Sequence, residues 1–233
     1  EKQELTSRRA KVLRPLRSSF ERYGEVFVSL GVSFVPNFVS LYDEGVGDEG
    51  LYSELTPPKS SGERWIGVAP FAKHKGKIYP LDRMEKVVSK LSEESRVKIF
   101  LFGSGDRERE ILSLWRERYP GVISLADKRY GFAVELSLMS RLDVMISMDS
   151  ANMHLASLVE VPVVSVWGAT HPYCGFLGWR QSDSGVVELP LDCRPCSVFG
   201  NKPCYRKDYA CLEIAPETIV DRVKSLETLI KEK

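Results

Sequence analysis

The sequence predicts an α/β fold in which a doubly wound parallel sheet carries helices on both faces. Between residues 64 and 167, short apolar runs typical of buried strands alternate with segments whose apolar residues recur at helical spacing. Turn-forming or polar residues follow these runs, as expected where a strand ends and a helix begins. Parallel strands are implied because each parallel pair needs a crossover connection, which a helix usually supplies.

Strands and helices alternate in a regular order along this stretch. Strands are predicted at residues 65–70, 97–102, 122–125, 143–148 and 161–167. Helices are predicted from Pro80 onward and at residues 106–118, 132–141 and 152–159.

The flanking segments differ in character from this alternation. Residues 20–32 predict a short amphipathic helix that ends at Gly31, and residues 43–63 predict a linker because they are rich in glycine, proline and acids. A final helix within residues 216–233 is predicted to begin at Pro216, with Ile219, Val223, Leu226 and Ile230 on one face.

Composition excludes several classes of protein. The chain has 233 residues, 43% hydrophobic and 28% charged, with a net charge of +1, which favours a globular protein and gives no general attraction to nucleic acid. No apolar run could span a membrane and no secretory signal is recognisable, so we expect a cytoplasmic protein with reduced cysteines. Since the chain has no initiator methionine, we expect it to be part of a longer protein.

The most informative segment runs from Met148 to Ala156, between two predicted strands. Asp149 and Ser150 mark the end of a strand and the start of a helix, where free N–H groups and the helix dipole favour an anion such as a diphosphate. The simpler alternative is that both residues only cap the helix. His154 lies in the first turn of this helix and is a candidate donor to a phosphate or sugar oxygen.

Two further candidates follow other strands. Lys77 lies after the first strand with Lys73 and Lys75, where a lysine is either solvated or neutralises a diphosphate. Glu108 follows the turn Gly103-Ser104-Gly105 and either caps the next helix or binds ribose hydroxyls. The third glycine of a dinucleotide-binding fingerprint is missing, which disfavours an NAD-dependent oxidoreductase.

These motifs together resemble the heptosyltransferase family, glycosyltransferase family nine. The resemblance lies in Asp149-Ser150-Ala151-x-x-His154-Leu155-Ala156, Val166-Trp167-Gly168-Ala169-Thr170, Lys77-Ile78-Tyr79-Pro80, and Phe102-Gly103-Ser104-Gly105 with Glu108. Ala151, Tyr79 and Trp167 are small departures from the family pattern.

The resemblance implies the C-terminal half of a glycosyltransferase with two facing Rossmann-like domains, the GT-B type. Such an enzyme would transfer a heptose from ADP-heptose to the lipopolysaccharide inner core, with inversion and without a metal or cofactor. Residues 1–42 would be the end of the N-terminal acceptor domain, residues 43–63 a linker, and residues 64–215 the domain that binds the nucleotide sugar. The general base, an Asp of the N-terminal domain, would then lie outside this chain.

The resemblance also implies roles for the candidate residues. Asp149, Ser150, Ala151, Asn152 and His154 would hold the diphosphate and the sugar of the donor. Lys77 would stabilise the leaving group as the catalytic residue of this half, and Glu108 would bind ribose. The alternative function is a module that binds a nucleotide sugar without turning it over.

Two features are left open by the sequence. Cys193, Cys196, Cys204 and Cys211 either form a structural zinc site or remain reduced thiols in a loop over residues 193–211, and their wide spacing favours the thiols. The basic stretch 1–22 is either a solvated face or a contact with the inner face of the inner membrane beside an anionic lipid acceptor.

Overall fold

A six-stranded parallel sheet forms the centre of the computed structural model. The structure describes residues 1–231, with side chains described through residue 228. The strands are β1 (Arg64–Ala69), β2 (Val97–Leu101), β3 (Val122–Ser124), β4 (Val144–Met148), β5 (Val163–Trp167) and β6 (Val186–Glu188). The helices are α1 (Lys2–Leu5), α2 (Ser19–Ser29), α3 (Leu81–Ser92), α4 (Asp106–Arg118), α5 (Phe132–Met139), α6 (Ala151–Leu158) and α7 (Pro216–Lys231).

The strand order is β3-β2-β1-β4-β5-β6, and every neighbouring pair is parallel. The chain moves outward from β1 to β3 on one side, then returns to β4 beside β1 and continues outward to β6. Connections leaving β1 and β4 therefore run in opposite directions and open a crevice between the carboxyl ends of these two strands. Ligands of open α/β sheets bind at this topological switch point.

Helices cover both faces of the sheet, as the alternating pattern predicts. Apolar side chains of α3, α4 and α7 pack on one face around Val68 and Ile146, while α5 and α6 pack on the other around Trp65 and Met145. Every residue of β4 and β5 is buried, which explains why these strands are continuous apolar runs rather than alternating ones. The α/β prediction is confirmed.

The predicted elements are all present, with shifts of a few residues at their ends. Helix α4 has the predicted bounds, whereas α5 ends at Met139 rather than at residue 141. Strand β6 is missing from the prediction. It has only three residues, of which Val187 alone is fully buried, so its sequence carries almost no periodic signal.

Part of the predicted linker packs directly against the sheet domain. A 3-10 helix at Glu49–Tyr52 contacts α5, and Tyr52 is fully buried. The Gly47 N–H donates to Ser140 Oγ at 2.8 Å, and Ser137 Oγ donates to the Asp48 carbonyl at 2.6 Å. These bonds fix residues 47–52 to α5 and its end.

Helix α2 begins at a capping box, in which the Ser18 side chain accepts from the Glu21 N–H and the Glu21 carboxylate accepts from the Ser18 N–H. Gly31 beyond its end has a φ of +82°, as expected for a residue that terminates a helix. In α7, Ile219, Val223 and Leu226 are buried as predicted, and the side chain of Ile230 lies outside the described residues. Within residues 1–231, no helix has the length and hydropathy needed to cross a membrane.

Candidate functional site

A cavity of about 680 Å³ opens at the carboxyl edge of the sheet, at the switch point between β1 and β4. Its wall includes most of the residues predicted from sequence, contributed by the loops after β1, β2, β3 and β4. The lining residues include Phe71, Lys73, His74, Lys77, Gly103, Ser104, Glu108, Phe132, Glu135, Asp149, Ser150, Ala151, Asn152, Leu155 and Phe199.

Lys77 and Asp149 form an ion pair at the centre of this wall. Lys77 Nζ lies 2.8 Å from Asp149 Oδ2, and the side chains are only 14% and 5% exposed. Thr170 Oγ1 donates to the same carboxylate oxygen at 2.7 Å. A lysine ammonium has three N–H donors, and Asp149 is the only partner of Lys77 Nζ among residues 1–231, so two donors stay available to a ligand.

The amino end of α6 lies beside this ion pair. Ser150 is the N-cap residue in extended conformation, but its side chain makes no capping bond and lies 3.3 Å from Ser147 Oγ instead. In the part of the chain that the structure describes, the N–H groups of residues 151–153 have no acceptor. The helix therefore presents unpaired amides and the positive end of its dipole, which together favour an anion. Ser150 thus occupies the N-cap position without a side-chain capping bond.

Glu108 lies in the first turn of α4, and its ribose-binding role stays a prediction. Its Oε2 accepts a hydrogen bond from the Ser104 N–H at 2.8 Å, which fixes the turn before α4, and the residue also lines the cavity. Gly103 is required in this turn because a Cβ there would lie 2.8 Å from Leu112 Cδ1 and 3.2 Å from Glu108 Oε2. The glycine thus lets Glu108 fold back over the turn.

His154 is not on the cavity wall. The residue is half-buried, and burial lowers the pKa of its imidazole below the ordinary value, against a smaller opposing effect of the Asp149 charge. Lys77 adds to the lowering. Burial therefore favours the neutral form of the imidazole, which is close enough to Asp149 and Lys77 to be affected by both charges.

The four clustered cysteines are free thiols, and Cys204 and Cys211 are buried. Burial raises the pKa of the Cys211 thiol to about 11 and also raises that of Cys196, so both are protonated at pH 7. Within the described residues, no group of three or more His, Cys, Asp or Glu side chains is arranged to hold a metal ion. This arrangement gives no geometric support to the zinc alternative.

Several residues of the site were not singled out by sequence reasoning. Thr170 belongs to the quoted motif but had no role, and Phe71 and Phe132 give the cavity apolar walls. Glu135 is a half-buried carboxylate on the same wall, and burial alone raises its pKa. Its place in the first turn of α5, which follows β3, was the available signal.

Comparisons with known proteins identify relatives of this chain. The model of glycosyltransferase family 9 (heptosyltransferase) matches residues 48–204. Lipooligosaccharide heptosyltransferase 2 of Campylobacter jejuni serotype O:6 is 25% identical over 172 residues, covering 72% of this chain and 53% of that protein. The protein of the same description from serotype O:2 is 26% identical over 170 residues, covering 71% and 52%. The chain spans about half the length of these curated relatives.

Solved structures share the fold at low sequence identity. The Escherichia coli ADP-heptose LPS heptosyltransferase II gives a TM-score of 0.59 at 21% identity, covering 79% of this chain and 53% of that one. A Veillonella parvula family 9 glycosyltransferase gives 0.68 at 18%, covering 91% and 60%. E. coli heptosyltransferase WaaC with ADP-2-deoxy-2-fluoro heptose gives 0.61 at 18%, covering 93% and 59%. The expected GT-B type of Rossmann-like domain is confirmed. Since the family model matches well over half of its residues, the chain belongs to glycosyltransferase family 9, the heptosyltransferase family.

Proposed function

We propose that this chain is the donor-binding half of a glycosyltransferase that moves a heptose from ADP-heptose to the lipopolysaccharide inner core. The observation that carries the proposal is the Lys77–Asp149 pair beside the unpaired amides of α6, at the switch point of the sheet. Family membership and the ADP-sugar analogue named with one structural neighbour support the choice of donor.

The diphosphate of the donor is proposed to lie against Lys77 and the first turn of α6. Ser150, Ala151 and Asn152 line the cavity there, and the methyl side chain of Ala151 leaves room for a phosphate to approach the backbone. When the glycosidic bond breaks, negative charge grows on the departing ADP, and Lys77 with the α6 amides would stabilise it. We infer that these groups supply the positive charge that a metal ion supplies elsewhere.

The nucleoside is proposed to extend toward β2 and β3. Glu108 accepts one bond from Ser104 through Oε2, so its other oxygen is available to a ribose hydroxyl. Phe71 and Phe132 line the same cavity and offer apolar surface to the base. His154 is outside the residues that line the cavity and is influenced by the Asp149 and Lys77 charges, so its proposed role is to support that pair rather than to touch the sugar.

Transfer is proposed to be a single inverting displacement at the anomeric carbon. An acceptor hydroxyl would attack opposite the leaving ADP, after losing its proton to a base outside residues 1–233. The basic N-terminal stretch, including exposed Arg8, Arg9 and Arg14, is proposed to help attract the anionic acceptor at the inner face of the inner membrane.

Nucleotide binding to this chain tests the proposal. Isothermal titration with ADP, UDP, GDP and NAD is expected to detect ADP binding. Lys77→Ala should weaken it by about 10-fold or more, because a hydrogen bond to a charged group contributes about 1.5–3 kcal/mol. Lys75→Ala is the matched control, since Lys75 is on the same loop but its Nζ lies over the Tyr209 ring.

Two results would contradict the proposal. Either no nucleotide binds, or the two lysine variants bind ADP with equal affinity. If ADP binds as expected, turnover of ADP-heptose by the full-length protein then separates an enzyme from a non-catalytic binding module.

A further inference from the structure

The cysteine-rich loop, residues 193–211, packs directly against the Lys77 side of the cavity. The Cys196 N–H donates to the Ala169 carbonyl at 2.8 Å, and Phe199 lines the cavity. A Cβ at Gly200 would lie 2.7 Å from Lys77 Cε, so the loop backbone contacts the lysine side chain. The loop is therefore structurally part of the site, although its cysteines are not on the cavity wall.

Arg194 in this loop is a charged side chain with only 1% exposure. Its guanidinium makes five hydrogen bonds, and their acceptors lie in residues 167–170 and 188–189. The bonds are Nε to Gly168 O (2.5 Å), Nη2 to Trp167 O (3.2 Å), Nη2 to Thr170 O (2.9 Å), Nη1 to Leu189 O (2.6 Å) and Nη2 to Glu188 Oε2 (2.8 Å). Three of the acceptors are carbonyls of residues 167–170, so the arginine holds the backbone of this segment at three points.

Glu188 is the one carboxylate that pairs with Arg194 in the described part of the chain. Its second oxygen, Oε1, lies 3.3 Å from His171 Nε2. His171 Nδ1 accepts a hydrogen bond from the Tyr173 N–H, so the ring proton is on Nε2. This Nε2–H therefore donates a hydrogen bond to Glu188. Both oxygens of Glu188 are thereby engaged, and Arg194 is held in place from its far side. Removing one partner of such a buried pair is strongly destabilising, because it leaves the other charge uncompensated, so the folding of every Arg194 variant has to be checked.

The segment held by Arg194 leads directly to the ion pair of the site. The fully buried Thr170 accepts from Arg194 through its carbonyl and donates through its hydroxyl to Asp149 Oδ2 at 2.7 Å. The same Oδ2 lies 2.8 Å from Lys77 Nζ. We propose that Arg194 is a positioning residue of the donor site, which sets the place of Lys77 through Thr170 and Asp149. This inference rests on the proposed function for the identity of the ligand.

The first test compares two arginines that form ion pairs in different parts of the fold. Arg194→Met removes all donors at similar length and is expected to weaken ADP binding by about 10-fold, the loss of one charge-assisted hydrogen bond. Arg64→Met is the control, because Arg64 binds two carboxylates, Glu227 and Glu94, at the amino end of β1. Folding is checked by circular dichroism. Unchanged ADP affinity in folded Arg194→Met would overturn the proposal.

A double-mutant cycle separates positioning from general support of the fold. Thr170→Val keeps the shape of the side chain but removes the hydroxyl that binds Asp149. If Arg194 acts through Thr170, Arg194→Met should weaken ADP binding much less in the Thr170→Val background than in the wild type. Additive losses would mean that the arginine only stabilises the fold, and would reject the proposal.

Two further measurements keep the inference testable if Arg194→Met does not fold or if no nucleotide binds. Arg194→Lys retains a charge and part of the bonding, and it should show a smaller loss with the same non-additivity. Amide hydrogen exchange without nucleotide should rise at residues 168–170 in the Arg194 variants and stay unchanged there in Arg64→Met. Equal exchange would refute the positioning role, whereas failure of wild-type ADP binding with raised exchange would refute only the proposed function.

Discussion

Strand β4 has an aspartate at each end, and each aspartate is paired with a lysine from a distant loop. At the amino end, Asp143 Oδ2 lies 2.6 Å from Lys59 Nζ. At the carboxyl end, Asp149 Oδ2 lies 2.8 Å from Lys77 Nζ. The same two residue types therefore flank one strand, in two different surroundings.

Both members of the amino-end pair also bond to backbone groups of the fold. Lys59 Nζ also donates to the Arg141 carbonyl at 3.0 Å, and Asp143 Oδ2 also accepts from the Trp65 N–H at 2.6 Å. The pair thus ties the loop before β1 to the start of β4. No helix begins there, since the nearest element before Asp143 is the end of α5.

The carboxyl-end pair has bonding capacity left over. Asp149 Oδ2 is bonded to both Lys77 and Thr170, whereas Lys77 faces an open cavity and the amino end of α6. The two pairs therefore differ in that Lys77, among the described residues, keeps two unused donors beside the amino end of α6, whereas Lys59 is bonded to both Asp143 and the Arg141 carbonyl. Residue type alone does not distinguish the two pairs, although the carboxyl-end pair is the more deeply buried.

Removing each aspartate in turn should give the largest contrast between the two ends. Asp149→Ala and Asp143→Ala are both expected to lower the free energy of unfolding by about 1–3 kcal/mol, because each leaves a partly buried lysine without its partner. Only Asp149→Ala should weaken ADP binding, by about 10-fold, since Lys77 loses its orientation. Urea unfolding and calorimetric titration measure the two effects. Equal ADP affinity in the two variants would remove the distinction between the ends of β4.

Two glycines test the carboxyl-end pair further, with a smaller expected effect than the aspartate variants. Gly200 and Gly45 both have a positive φ, +72° and +76°. A Cβ at Gly200 would contact Lys77, whereas a Cβ at Gly45 would have no atom within 4 Å. Both alanine variants should lose about 1–2 kcal/mol of stability from the left-handed backbone. Gly200→Ala alone should also weaken ADP binding, by a few-fold. If Gly45→Ala weakens binding equally, the crowding of Lys77 is not the cause.

The smallest expected effect is a dependence of stability on pH. Burial lowers the pKa of His154, so the folded protein favours the neutral imidazole. The stability that this provides is complete above the pKa of the unfolded chain and is lost as the pH falls from there through the lower folded-state pKa. In His154→Gln, the midpoint temperature of thermal unfolding should fall less between about pH 7 and pH 5 than it does in the wild type. His74→Gln is the control and should retain the decline.

The sequence predicts the parts of the site that follow strands. Lys77 and Asp149 come after the first and fourth strands, and neighbouring parallel strands end at one edge, so their proximity could be inferred. Helix α4 was bounded correctly because Gly105 precedes it and its basic residues, Arg116 and Arg118, end it.

Other parts depend on geometry that local patterns do not contain. On α6, residues 151, 152 and 155 line the cavity, and His154 lies about 100° around the helix from that face at 3.6 residues per turn. Being in the first turn was therefore not enough to place it on the wall. Arg194 is distant in sequence from the residues that it holds, and its neighbours Cys193 and Cys196 drew attention to thiols instead.

The series of contacts from Lys77 through Asp149 to Thr170 joins the loops that follow β1, β4 and β5. None of its contacts is local, so the three groups come together only after these strands have paired in the correct order. A collapsed or partly folded chain without that order would have every residue of the site and still bind no nucleotide. Under the proposed function, titration with ADP should therefore count correctly folded molecules, and saturating ADP should protect the protein against proteolysis that proceeds through the unfolded state.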